Sequence, residues 1–221
     1  MNLLISSALV ALPLIVLIFA LERRRPRPRD LMPVVVLTAL AIVGRIIALP
    51  IPNFQPATAL IILAGFFFGR HAGLLSGMLV ALISNMIMGQ GPWTPWQMLA
   101  WGLVGYGAGL MAKILGTDTC MTKAVQSAER RRDKLKVFLP IAAVIGYGFF
   151  ASLLFGMIMD LHFFVAYVWE SGLAGLLATW TLGLPLNIAH AVSTLLFLSL
   201  TLLPWGRKLQ RLKVKYGIKG I

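Results

Sequence analysis

Apolar stretches follow one another along most of this chain, and nineteen of its twenty Lys and Arg residues are confined to four places between or after them. Five lie in Arg23–Arg29, one is Arg70, seven lie in Lys113–Lys136 and six in Arg207–Lys219. The twentieth, Arg45, sits inside an apolar stretch. Basic residues favour the cytoplasmic side of a membrane protein, so all four clusters are expected there. The net charge of +13 then reports topology and contact with lipid, with no nucleic-acid partner expected. Composition agrees: 59% of the residues are hydrophobic and 12% charged, whereas soluble domains run at about half and a quarter. A soluble globular domain, a disordered chain and a nucleic-acid-binding domain are excluded as first readings. No Gly-rich phosphate loop with its Lys is present. Uphill movement of a solute would therefore draw on an ion gradient or on another subunit. The lone Cys120 has no internal disulfide partner.

The expected fold class is an all-α polytopic membrane protein. Leu3–Leu21, about 19 residues and roughly 28 Å as a helix, is long enough to span. Charge follows this stretch and does not precede it, which predicts an anchor with its N-terminus outside. Residues 1–30 are read as this extra N-terminal transmembrane helix with a basic linker. Residues 31–206 are read as the core and 207–221 as a basic cytoplasmic tail. Six core segments are expected: Leu31–Leu49, Ala57–Phe68, Ala72–Met88, Trp96–Leu115, Val137–Met159 and Pro185–Leu203. Ala57–Phe68 reaches only roughly 18 Å, so it is tilted, extended by its flanks or only partly spanning. Arg70 and His71 are expected to form a tight inner turn. Segment 161–184 is apolar, yet a further crossing would carry the basic tail outside. It is therefore expected outside, as a lid or re-entrant loop.

Polar groups within apolar spans are expensive and need a reason. Arg45, Asn85, Asn187 and His190 fall in one layer near the outer helix ends. Above them the stretch Gly89–Trp101, expected as an outer loop, carries Gln90, Gln97 and Thr94 for hydrogen bonding. It also holds Trp93, Trp96 and Trp101 as aromatic faces, stiffened by Pro92 and Pro95. Aromatic walls with a few placed polar groups suit an organic ligand. The turn PIPNFQP adds Asn53. The candidate binding set is Arg45, Asn53, Asn85, Gln90, Trp93, Trp96, Gln97, Asn187 and His190, beneath loops 50–56, 89–96 and 160–184. Gly65, Gly69, Gly73 and Gly77 recur at intervals of four, and Gly105 and Gly109 form a further pair. Tight helix packing within the chain is the expectation for most of them.

Two stretches, NFQPATALIILAGFFFG and GLLSGMLVALISNMIMGQGPWTPWQMLAWGLVGYGAG, resemble the substrate-binding S components of energy-coupling factor (ECF) vitamin transporters. The resemblance covers about Leu31 to Leu203, and the GQGPWTPWQM run is most similar to the cobalamin-type S components. It implies a six-helix core with a vitamin site on the outer side. It further implies a transmembrane coupling protein and two cytoplasmic ATPases as partners. Such a chain would capture cobalamin, a related corrinoid or another water-soluble vitamin, and would catalyse nothing. No cofactor or metal is implied, and the location is the cell membrane. The family's Ala-x-x-x-Ala docking pair is not kept: Ala41 is followed at that interval by Arg45, and Ala39 by Val43. The nearest substitute is the face formed by Ala41, Gly44 and Ala48. The extra N-terminal helix is also outside the usual six.

Two other classes compete. An intramembrane serine hydrolase needs a serine within reach of a base. Ser76 lies about 15 Å from the depth of His190 at 1.5 Å per residue, whereas Ser84 is better matched. A stand-alone ion-coupled transporter is expected to embed an Asp or Glu, and Asp160 and Glu170 fall at the outer boundary.

Overall fold

The computed structural model describes residues 26–116 and 134–218, together with Ile15 and Phe19. The anchor expected over Leu3–Leu21 and the basic loop with Cys120 otherwise lie outside the described residues. The architecture is all-helical. Among the described residues the α-helices are α1 (Pro28–Ile47), α2 (Ala57–Phe68), α3 (Arg70–Met88), α4 (Thr94–Ile114), α5 (Lys134–Phe163) and α6 (Gly172–Lys215). Helix α1, helix α3 and the Ile141–Lys215 stretch are long and apolar enough to cross a membrane. Outward-facing side chains such as Met86, Phe150, Leu154 and Leu200 are apolar, as lipid-facing surfaces are. The chain is a helical membrane protein. Successive helices alternate in direction. One end therefore collects the turns before α2, before α4 and before α6 (the tryptophan end), and the other carries Arg27, Arg29, Arg70, Lys113 and the basic residues of α6 among the described residues (the basic end).

Every residue of α2 is buried. Its sequence is apolar all round, so it has no solvated face to present and sits inside the bundle. The helix is enclosed by its neighbours along its whole length, and α3 starts at Arg70, one residue after Gly69. The turn between them is Gly69 alone, at φ 102°, a conformation that glycine adopts without steric cost. Arg70 and His71, expected as the turn, are instead the first residues of α3.

Helix α4 is held against α2 and α3 by the glycines. A Cβ at Gly65 or at Gly73 would lie 2.1 Å from the carbonyl oxygen of Gly105, and one at Gly77 would lie 2.2 Å from that of Trp101. No side chain fits such spaces, so the expected close packing within the chain is realised here. The face of α1 proposed for docking is largely used in the same way. Ala41 is fully buried, and a Cβ at Gly44 would meet Pro56 at 2.5 Å. Ala41 is thus taken up by internal packing and Gly44 has no room for a side chain, while Gly44 and Ala48 both stay partly open. The exposed face of α1 runs instead through Val36, Leu40, Val43 and Ile47.

Segment 161–184 is neither a lid nor a re-entrant loop. Helix α5 continues to Phe163, a π-turn (Phe164–Val168) and a 3-10 turn (Trp169–Ser171) follow, and α6 begins at Gly172. The two helices pack as an antiparallel hairpin. This returns the chain to the basic end without a further crossing, the condition that charge segregation imposes. Pro185, expected to start the last span, lies inside α6, as does Pro204. Helices in lipid tolerate such prolines where neighbours re-satisfy the freed backbone groups. Helix α6 also runs on through Lys215, so most of the expected basic tail is helical. Its 44 residues reach about 66 Å, well beyond the ~30 Å of a hydrocarbon core.

Candidate functional site

All six helices send a side chain into one cluster at the tryptophan end. Arg45, in the last turn of α1, donates from Nη1 to Ser84 Oγ and to Asn85 Oδ1, the latter at 2.9 Å. Its Nη2 reaches Gln97 Oε1 at 3.5 Å. Asn85 Nδ2 donates to Thr94 Oγ1 at 2.9 Å and to Gln97 Oε1 at 2.8 Å. The guanidinium carbon of Arg45 lies 4.7 Å from the centroid of the Trp101 ring. Trp101 Nε1 donates to Thr58 Oγ1 at 3.0 Å, and Thr58 Oγ1 and His190 Nε2 are 2.7 Å apart. Phe155 closes the cluster from α5. It stacks on Trp101 at 4.7 Å and meets His190 edge-on at 5.0 Å.

Local sequence explains the convergence. Pro95 falls in the first turn of α4, where a proline's missing N–H costs nothing. The helix therefore begins at Thr94, and what was expected as a loop through Trp101 is helical from there. Thr94, Gln97 and Trp101 are spaced to share one face. On α3, Ser84 and Asn85 sit in the closing turns, level with Arg45. The hydroxyl of Ser84 also returns a hydrogen bond to Val80 O, satisfying itself within its own helix.

Of the expected binding set, Arg45, Asn85, Gln97 and His190 belong to this cluster. The others do not. Asn187 donates to Asp160 Oδ2 at 2.7 Å and pins the α5–α6 hairpin. Asn53, at φ 57°, donates to Leu186 O at 3.2 Å. Gln90 is exposed and donates to Leu82 O at 3.0 Å. Trp93 is 37% exposed and lies over Gly91. Trp96 is buried but faces His162, with ring centroids 5.6 Å apart. The indole Nε1 of Trp96 and Nε2 of His162 are both buried without a hydrogen-bond partner.

Sequence reasoning passed over Thr58 and Phe155 and left Trp101 and Thr94 outside the set. Thr58 carried a signal, being a polar residue at the second position of an otherwise apolar helix. Phe155 carried none, because it is one phenylalanine among twelve. Ser84, weighed as a nucleophile, is engaged with Arg45 and Val80, whereas His190 Nε2 is engaged with Thr58. The two are not hydrogen-bonded to each other. Among the described residues no group of three His, Cys, Asp or Glu side chains is placed to hold a metal.

Fold and site together define a helical membrane protein with a polar and aromatic cluster enclosed at one end of its bundle. A model of a family of unknown function, DUF6580, matches residues 25–206. The chain belongs to that family. No solved structure matches it.

Proposed function

We propose that this protein is the substrate-binding S component of an ECF-type importer for a water-soluble vitamin, with cobalamin or a related corrinoid as first candidate. In this reading the tryptophan end faces outside and the basic end faces the cytoplasm, as charge segregation favours. The chain captures the vitamin outside and delivers it by associating with a transmembrane coupling protein and two cytoplasmic ATPases. It carries and does not catalyse. The N-terminal segment adds a transmembrane anchor, with its N-terminus outside, to the six-helix core.

The observation that carries the reading is the convergence of side chains from α1 to α6 on the cluster around Arg45 and Trp101. Ligand sites of this kind combine aromatic walls with a small number of convergent polar groups. Trp101 and Phe155 supply the walls, and Trp96 lies in the adjoining layer. Arg45, Asn85, Gln97, Thr58 and His190 supply the polar groups. The GQGPWTPWQM run builds the α3–α4 turn over this cluster, and its similarity to cobalamin-type S components puts corrinoids first.

The test is uptake in a host lacking its own importer for the vitamin. Expression together with the ECF coupling protein and ATPases is expected to restore uptake, and an ATPase Walker variant is expected to abolish it. Uptake that persists without the ATPases would instead mark an ion-coupled transporter.

A further inference from the structure

We propose that the ligand of this cluster carries an anionic oxygen group, a carboxylate or a phosphate, and that Arg45 receives it. The proposal rests on the binding role proposed above and adds the charge of the ligand.

Arg45 is only 7% exposed. A buried charge is costly unless it is paired and hydrogen-bonded, the more so within a membrane protein's apolar interior. Natural interiors therefore set a carboxylate beside such a group. Here every hydrogen-bond acceptor of the guanidinium is neutral: Ser84, Asn85 and Gln97. Among the described residues no acidic side chain is paired with it. Asp30 is paired with Arg27, Asp160 accepts from Asn187, and Glu170 is exposed in the turn before α6. The side chain does not snorkel toward the headgroups either, since it is buried against α3 and α4.

Its donors are also incompletely used. A guanidinium offers five N–H groups in a planar fork. Nη1 uses both of its own, and Nη2 makes one long contact at 3.5 Å. The Nε–H and the second Nη2–H make no hydrogen bond among the described residues. Nε and Nη2 flank one edge of the fork, the edge that takes a carboxylate or phosphate through two parallel hydrogen bonds. Trp101 holds the face of the guanidinium, and Asn85 and Gln97 fix its far side. The cation is preorganised and lacks only its anion.

The experiment measures binding to the purified full-length protein, in a phosphate-free maltoside detergent, of vitamin pairs that differ in one anionic group. Suitable pairs are pantothenate and pantothenol, biotin and biotinamide, pyridoxal 5′-phosphate and pyridoxal, and the phosphate ester of dicyanocobinamide and dicyanocobinamide itself. The expected result is a pair whose anionic member binds and whose neutral member binds roughly tenfold to a hundredfold more weakly. That preference is expected to vanish in Arg45→Met, which removes the charge, and in Asn85→Asp, which supplies an internal carboxylate. A neutral member that binds as tightly as its anionic partner overturns the proposal. So does a preference that survives in Arg45→Met. Melting of the wild type and Arg45→Met in potassium phosphate, acetate or chloride at equal ionic strength separates the two readings. If no vitamin binds, yet phosphate or acetate raises the wild-type Tm above chloride and Arg45→Met loses that rise, the anion site holds and the vitamin reading fails. No binding preference and no selective rise overturns the anion site as well.

Discussion

Arg45 and Trp101 form a cation–π pair, with the guanidinium carbon 4.7 Å from the ring centroid, and the indole Nε1–H of the same ring is committed to Thr58. One side chain thus ties the last turn of α1 to the all-buried helix α2. Trp101→Phe keeps the stack on Phe155 and loses the hydrogen bond and part of the cation–π attraction. It is expected to cost about 1–2 kcal/mol. Trp101→Ala, which also empties a fully buried site, is expected to cost about 3–5 kcal/mol. Reversible unfolding in mixed micelles measures both. A double-mutant cycle with Thr58→Val should return a coupling of about 1 kcal/mol.

The glycine contacts make a sharper contrast. Gly73→Ala and Gly105→Ala would drive a Cβ to 2.1 Å from the carbonyl oxygen of the facing helix. The backbones must then separate, and a loss of at least ~2 kcal/mol is expected, in the upper range of overpacking costs. Gly146→Ala on α5 meets nothing within 4 Å. It is expected to be neutral or to stabilise by about 0.5–1 kcal/mol, the ordinary helical preference for Ala over Gly. Thermal unfolding of the three variants side by side checks the pattern.

The α5–α6 hairpin is pinned by Asp160 and Asn187. Gly183 and Gly156 make room for it: a Cβ at Gly183 would lie 2.4 Å from an Asp160 carboxylate oxygen, and one at Gly156 would lie 2.1 Å from Asn187 Oδ1. Asp160→Asn retains an acceptor for Asn187 and is expected to change stability by less than about 1 kcal/mol. Asp160→Ala leaves the Asn187 amide unpaired, at about 1–3 kcal/mol. Gly183→Ala should splay the hairpin locally. Amide exchange near the 164–171 turn, faster in Gly183→Ala than in the wild type, is the readout.

Much of the fold was legible because lipid restricts the choices. Ala57–Phe68 and the end of α3 at Met88 appear at the expected residues, since apolar runs bounded by Gly and Pro leave little freedom. The shared depth of Arg45, Asn85 and His190 was legible by counting residues from the helix ends. Depth does not give azimuth, however. Asn187 has the right depth and faces Asp160 rather than the cluster. Which tryptophan turns inward depended on where α4 starts, and Pro95 was read as stiffening a loop when it opens a helix. Pro185 misled in the opposite way, as a boundary inside an unbroken helix. Charge placed segment 161–184 at the end away from the basic residues of α6, where its turn lies, but apolarity alone did not separate a lid from the ends of two long helices. On the Ala41, Gly44 and Ala48 face, periodicity finds small residues without saying which neighbour fills the space beside Gly44. Here it is Pro56 of the same chain.

The central claim is that the cluster around Arg45 and Trp101 binds a vitamin. Its most direct test is equilibrium titration of the purified full-length protein with water-soluble vitamins, cobalamin and cobinamide first, followed by tryptophan fluorescence and calorimetry. The account predicts saturable one-to-one binding of one vitamin, weakened roughly tenfold or more when Asn85→Ala removes a charge-assisted hydrogen-bond partner from the cluster. Absence of saturable binding by every vitamin tested, or binding that Asn85→Ala and His190→Ala leave at full strength, would contradict it.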